Sequence, residues 1–157
     1  MIYDRTMQDV EKAQELFDTK VKSFIALTDD ELITMERGRV TVNTLNRIET
    51  AQNNIGQMLV ELGYLKEEPV TKTWSDGVFF EDDLIRIVNN TKMLRNSFFV
   101  ISENKEPLPL FDYINFNIVE KILYEIDILT TAVKSTYKRA GAYIAGQVVH
   151  LPLKGVS

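Results

Sequence analysis

The side chains that could carry chemistry are few and lie far apart along the chain. His150 is the only histidine and there are no cysteines, so a transition-metal site would have to use carboxylates alone, which is uncommon for zinc. Carboxylate pairs occur at Asp29–Asp30 and Asp82–Asp83. Both pairs stand at predicted helix starts, where acids stabilise the exposed N–H groups. We therefore expect no catalytic residue, no metal and no cofactor.

The familiar glycine-rich and nucleophile motifs are missing from the sequence. It contains no phosphate-binding loop, no dinucleotide-binding glycine pattern, no nucleophile elbow and no calcium-binding loop. Asp76–Gly77 is interpreted as a turn. Nothing in the residue pattern favours an enzyme, and we expect that the protein is not one.

Three aromatic residues beside this turn are the best candidates for a binding site. Trp74, the only tryptophan, precedes the turn, and Phe79 and Phe80 follow it. Such a group can contact a sugar or a protein partner. The alternative interpretation is that these side chains close the end of a helical bundle.

Residues 40–65 could be read as the recognition half of a helix-turn-helix. Asn46, Arg47, Asn53 and Gln57 carry groups that can read bases. Arg47 is however the only basic residue from 43 to 65, and the chain has a formal net charge of -5. Because an acidic chain is a poor candidate for binding phosphate backbones, we expect no nucleic-acid partner.

Length and hydropathy indicate one soluble domain. The 157 residues fit a single domain with a real core. The N-terminus carries acids where a signal peptide needs an apolar run. No apolar stretch approaches the roughly 20 residues that cross a bilayer. We expect synthesis in the cytoplasm and no membrane partner, with later entry into an assembled particle still open.

The apolar stretch at 112–139 predicts a long helix around which the rest is organised. Ile118, Ile122 and Ile126 recur at the helical period, and Asp112 is a plausible N-cap. Glu120 falls on another face, which we interpret as a solvated edge together with Tyr124, Asp127 and Thr131. Gly141 is a stop signal.

Shorter helices are predicted before it from their caps. Thr6 and Thr28 begin two of them, Thr41 or Asn43 begins a helix over about 43–62 that ends at Gly63, and a further helix runs from Glu81 to about 100. Gly56 suggests a close helix–helix approach, and 70–73 a short strand. Short connections favour antiparallel packing. The predicted fold is an all-α antiparallel bundle of about four to five helices, over residues 1–140.

The C-terminal residues 141–157 are predicted to form an extended arm. The run after Gly141 has strand-like character and ends at Pro152. An exposed strand can pair with a neighbouring chain. Tyr143, Val148 and Leu151 are therefore further candidates for partner contact.

Several segments, in order, resemble one family. They are Tyr3–Val10, Leu45–Glu49, Thr73–Gly77, Leu94–Arg95, Asn117–Asp127 and Gly141–Gly146. Together they are similar to a helical module of Firmicutes phage and prophage proteins, found in tail-fibre-like and minor structural proteins. The resemblance implies a tail-associated role in the virion and supplies no catalytic residues. Larger relatives continue into further domains, whereas this sequence stops soon after Gly146. A receptor-binding head is therefore not expected on this chain.

Three function hypotheses follow. The first is a virion structural protein, an adaptor associated with tail, baseplate or fibre, which contacts other virion proteins as a homo-oligomer or as a subunit of a larger assembly. The second is a carbohydrate or host-surface binding module that uses the Trp74 region. The third is a cytoplasmic regulator that binds DNA or a host protein.

Overall fold

The computed structural model describes the backbone of residues 5–97 and 106–150 and the side chains of 5–97 and 106–137. The helices are α1 (Met7–Leu16), α2 (Asp29–Gly38), α3 (Val42–Glu61), α4 (Glu81–Ser97) and α5 (Tyr113–His150), and one π-helical turn, Phe17–Val21, extends α1. The predicted all-α fold with a long C-terminal helix is confirmed. The described residues contain no strand, so the strand predicted at 70–73 is wrong.

Side-chain caps mark the start of α1, α2 and α3. The hydroxyl of Thr6 accepts the N–H of Asp9 at 3.1 Å. Thr28 forms a capping box with Glu31, and Thr41, not Asn43, caps α3. Each cap provides a partner for an N–H group that the first helical turn leaves unpaired. The predicted starts are confirmed.

The helix α5 continues through residues predicted to be extended. Its backbone is helical to His150, so the predicted arm is wrong for residues 141–150, while 151–157 lie outside the described residues. Gly141 costs only about 1 kcal/mol relative to alanine inside a helix. Alanines at 140, 142 and 145 favour extension of a helix that is already nucleated.

The three longest helices run in the same direction. Arg47 and Glu61 on α3 pair with Glu120 and Lys134 on α5, and the partners are 73 residues apart in both pairs. On α4 the separations from α3 are 37 residues for the Glu49–Arg86 pair and 38 for Gln52–Asn90. A nearly constant separation means parallel helices, so the predicted antiparallel packing is wrong for α3, α4 and α5.

The helix α1 runs antiparallel to α5. Arg5, just before α1, reaches Glu120, whereas Gln14 accepts the N–H of Tyr113, so the contact on α5 moves backwards as α1 advances. Gly38 at the end of α2 lies against α1, because a Cβ there would be 2.3 Å from the carbonyl oxygen of Asp9. Gly38 thus permits a close approach of the two helices.

Neighbouring helices that run parallel are joined by a long crossover connection, and residues 62–80 provide the first. Its central part, residues 69–74, runs back along α3 and is called the returning segment here. Pro69 lies against Gly56, where a Cβ would be 2.1 Å from Cδ of the proline. Gly56 therefore makes room for the returning segment, and the predicted helix–helix approach at Gly56 is wrong.

The main core lies between α3, α4 and α5. Its fully buried side chains include Ile48, Ile55, Leu59, Ile87, Leu94, Phe116 and Leu123. Ile122 and Ile126 are buried as the helical period predicts, and Ile118 packs against this core. A smaller cluster of Val10, Ala13, Met35 and Tyr113 joins α1 and α2 to the start of α5.

Candidate functional site

The predicted aromatic group divides into a buried and an exposed part. Trp74 is 5% exposed, whereas Phe80 is 64% exposed. One face of the Trp74 indole stacks on Phe79 at 5.3 Å between ring centroids, and the ammonium of Lys72 lies 3.7 Å from the indole centroid. Trp74 is therefore a buried residue on which Phe79 packs, and it is not itself part of the exposed surface. The side chains of Tyr143, Val148 and Leu151 lie outside the described residues.

Phe79 connects Trp74 to two further rings that precede and begin α5. Its centroid is 5.2 Å from that of Phe111 and 5.8 Å from that of Phe116. Phe111 and Phe116 meet edge to face at 5.7 Å. These separations are those of favourable aromatic pairs, so the four rings form one packed unit between the starts of α4 and α5.

A groove of about 530 Å³ opens above this unit. We call it the aromatic groove, and it is lined by Gly77, Phe79, Phe80, Glu81, Leu84, Pro109, Leu110 and Phe111. Leu110 and Phe111 are 53% and 54% exposed. Glu81 is the one charged residue in the lining. The groove can therefore accept an apolar side chain more readily than a polar ligand, which needs several convergent hydrogen-bonding groups.

Hydrogen bonds from side chains to the backbone hold both walls of the groove. On one wall Asp83 accepts the N–H of Phe80 at 3.2 Å. On the other, Asn115 accepts the N–H of Leu108 at 2.8 Å and donates to the carbonyl oxygens of Leu108 and Leu110. The irregular backbone on either side is thus fixed by polar groups of α4 and α5.

A second feature is a buried charged network beside the returning segment. Glu49, which is 2% exposed, accepts hydrogen bonds from the guanidinium of Arg86 at 2.7 Å and from the indole N–H of Trp74 at 3.3 Å. The main-chain N–H of Lys72 donates to the same carboxylate at 3.3 Å. Asn46 both donates to and accepts from the backbone of Trp74. This network fixes the returning segment on α3.

Asp83 extends the network to the start of α4. Burial alone would raise the pKa of Asp83, but hydrogen bonds from Lys72, the Phe80 N–H and Arg86 outweigh that effect and lower the pKa below its ordinary value of 3.8. The pKa of Arg86 is raised, because its bonds to Glu49 and Asp83 outweigh its desolvation. Both carboxylates of this network are bound to cations, which suits a structural role.

Glu120 is a third buried carboxylate, and its predicted place on a solvated edge is wrong. It is fully buried, and it accepts hydrogen bonds from Arg5 and from Arg47 at 2.8 Å for each Nε. Two cations from separate elements converge on one carboxylate. The helical period of α5 cannot show this, because both arginines come from elsewhere in the chain.

These arginines also line a cavity of about 470 Å³ between the end of α2 and the start of α3. Arg37 and Arg39 complete its basic lining, and Asp9 and Glu36 are among its other residues. Arg39 is paired with Glu36 at 2.6 Å. The cavity is thus polar and of mixed charge. Within the described ranges, no three acidic or histidine side chains are grouped to hold a metal ion.

Sequence reasoning identified Phe79 and Phe80 but missed Leu110 and Phe111. The two missed residues follow a proline pair in a loop, and only the parallel course of α4 and α5 brings them beside Phe80. An unusual concentration of apolar residues from 108 to 111 in a loop was the one available signal.

Comparison with known proteins gives no match, whether with family models, curated proteins or solved structures. In the part of the chain that the structure describes, no helix has both the length and the hydropathy needed to cross a membrane.

Proposed function

We propose that the protein is a structural or adaptor subunit that works through protein–protein contact, and that a partner docks in the aromatic groove. The observation that carries this proposal is the concentration of exposed Phe80, Leu110 and Phe111 around one concave site. Contiguous apolar surface on a folded chain commonly marks an interaction site. Aromatic side chains that are held rigidly from below are the usual anchors of such interfaces.

The chemistry of the groove favours a protein over a sugar. A sugar site needs an exposed ring together with several polar groups, but the faces of Trp74 are occupied by Phe79 and Lys72. Glu81 is the one charged residue that the groove offers. An apolar side chain from a partner gains from burial in such a site without losing hydrogen bonds.

The particular assembly that we propose is a phage or prophage virion, with the protein associated with the tail, baseplate or fibre. The support for this step is the similarity of Leu45–Glu49, Thr73–Gly77 and Asn117–Asp127 to the phage helical module. A groove for a protein partner agrees with an adaptor role. The virion assignment and the docking site are two separate proposals, and each needs its own measurement.

The experiment uses particles produced by the organism that carries the gene, with the chromosomal copy replaced by variants. We expect the wild-type protein to be present in purified particles by immunoblotting, and the double variant Phe80→Ser, Phe111→Ser to be absent from them. Ile128→Ser is the control, since Ile128 is 50% exposed and does not line the groove. Absence of the wild-type protein would contradict the virion role, and normal entry of the double variant would contradict docking in the groove.

A further inference from the structure

A second exposed aromatic, Phe24, lies in the loop between the π-helical turn and α2. Its side chain is 98% exposed, and its backbone has φ 57°, in the left-handed region that disfavours residues with a Cβ. The N–H of Ile25 bonds to the carbonyl oxygen of Lys20 at 2.9 Å, and that of Phe24 to Val21 at 3.1 Å. This pair of bonds is a Schellman motif with Phe24 at the position that usually holds glycine.

The end of α3 shows the same motif with the usual residue. Gly63 has φ 78° and its N–H bonds to the carbonyl oxygen of Val60, while the N–H of Tyr64 bonds to that of Leu59. Glycine adopts this conformation without steric cost. At Phe24 the chain instead combines an unfavourable backbone with an aromatic ring that is almost wholly exposed. Function outside the monomer is a physical reason for such a combination.

Phe24 and the aromatic groove lie at the same end of the molecule. The π-helical turn before Phe24 contains Phe17, whose ring centroid is 5.5 Å from that of Tyr113. Tyr113 is the first residue of α5, and Phe111 of the groove precedes it by two positions. Phe24 and the groove therefore both lie near the end of α1 and the start of α5.

The two features are both apolar and are compatible in size. The groove volume of about 530 Å³ accommodates a phenyl ring, and Phe79 and Phe111 in its lining offer aromatic contacts. The nearest cation to Phe24 in the sequence, Lys22, is already paired with Asp18 of its own chain at 2.5 Å, so the complementarity is apolar. Phe24 is an aromatic knob, and the groove is an apolar site large enough to take it.

We propose that the partner in the aromatic groove is Phe24 of a second copy of this chain. Because knob and groove share one end, two copies can meet end to end about a twofold axis, so that each copy inserts its Phe24 into the other. This inference rests on the proposed function, since it names the occupant of the same groove. It predicts reciprocal contacts between residues 22–25 of one copy and 79–84 and 109–111 of the other.

Photo-cross-linking tests the contact directly. Benzoylphenylalanine replaces Phe24, which keeps an aromatic side chain at that position, and labelled protein is mixed with an unmodified copy grown in nitrogen-15. Mass spectrometry should find cross-links between copies that map to 79–84 or 109–111. Cross-links between copies that map only to other residues, or none at all, would overturn the inference.

Sedimentation velocity of Phe24→Gly supplies an independent arm. Glycine fits the backbone at this position, so the variant keeps the fold. We expect the wild type to shift from monomer to dimer as its concentration rises through the micromolar range, and Phe24→Gly to need at least about tenfold more protein for the same shift. Leu32→Ser, at an exposed residue of α2, is the control and should behave as wild type.

A wild-type chain that stays monomeric throughout, or a Phe24→Gly variant that dimerises as wild type does, would contradict the second-copy proposal. The particle experiment separates this failure from failure of the proposed function. A monomeric chain whose entry into particles still requires Phe80 and Phe111 would keep the groove as a docking site for a different protein.

Discussion

Trp74 and Phe80 stand close together in the sequence and have opposite environments. The indole of Trp74 is held by Glu49, Lys72 and Phe79 and is almost fully buried. Phe80 is mostly exposed, although the backbone that carries it is fixed by Asp83. Phe80 is therefore exposed on a backbone that a side chain of α4 helps to hold in place.

In the described residues, nearly all buried polar side-chain atoms have a hydrogen-bond partner. Among the described residues, the Oδ1 atom of Asn117 is the one buried side-chain oxygen or nitrogen without a hydrogen-bond partner. A core that satisfies its polar groups so fully is typical of a well-specified fold. The apolar end with Phe24, Phe80 and Phe111 is thus a distinct surface feature of the protein.

The largest effect is expected from Glu49→Ala in the buried network. The substitution leaves the Arg86 guanidinium without its main partner in a mostly buried position, which should lower the free energy of unfolding by about 3–5 kcal/mol. Urea denaturation followed by circular dichroism measures it. Glu61→Ala is the control, because the exposed Glu61–Lys134 pair should contribute less than about 1 kcal/mol. Equal losses in the two variants would contradict a structural role for the network.

Gly56→Ala should have the next largest effect. The added Cβ would overlap Pro69, and displacing the returning segment should outweigh the gain in helix propensity and cost about 1–2 kcal/mol net. Trp74 is the only tryptophan, so the fluorescence emission of the protein is a local probe of that displacement. Gly77→Ala is the matched control, since open space surrounds Gly77. A stabilised Gly56→Ala variant with wild-type emission would show that the segment does not press on α3.

Phe24→Gly should stabilise the monomer. Relief of the left-handed backbone exceeds the entropy that glycine adds to the unfolded chain, and the net gain is about 0.5–1 kcal/mol. At low protein concentration the Tm should rise by about 2–4 °C. Gly63→Ala is the mirror experiment at the other Schellman motif and should be destabilising by a similar amount. A loss of stability in Phe24→Gly would mean that the ring serves the monomer.

The smallest effect concerns pH. The pKa of Asp83 is lower in the folded protein, so its contribution to stability is present above the unfolded pKa of about 3.9 and is lost as the pH falls through the folded value. We expect Asp83→Asn to flatten the acid side of the stability profile below about pH 4. Chemical denaturation at a series of pH values measures the slope. A slope in Asp83→Asn equal to that of the wild type would contradict the lowered pKa.

The fold was predictable from the sequence where its signals are local. Thr6, Thr28 and Gly63 mark helix ends through bonds to residues a few positions away, and the helical period identified the core face of α5. The course of the chain was not predictable in this way. Pro69 against Gly56 and Asn46 against Trp74 are long-range contacts, and they send the returning segment back along α3 so that α4 runs parallel to it.

The candidate site was predictable only in part for the same reason. Trp74, Phe79 and Phe80 were found as an aromatic cluster, but their division into support and surface depends on Glu49 and Lys72. Glu120 was misread as a solvated residue because its helix alone does not show the two arginines that bury it. At 141–150 local glycine signals suggested an extended arm, and continuation of the long helix overrode them.

The central claim is that the exposed aromatic end serves association and not folding. Phe80→Ser tests it most directly when sedimentation velocity and urea denaturation are measured on the same protein. We predict that the wild type self-associates as its concentration rises, that the variant does not, and that the free energy of unfolding of the variant differs from that of the wild type by less than about 1 kcal/mol. Association equal to that of the wild type, or a loss of folding stability as large as that of Glu49→Ala, would contradict the account.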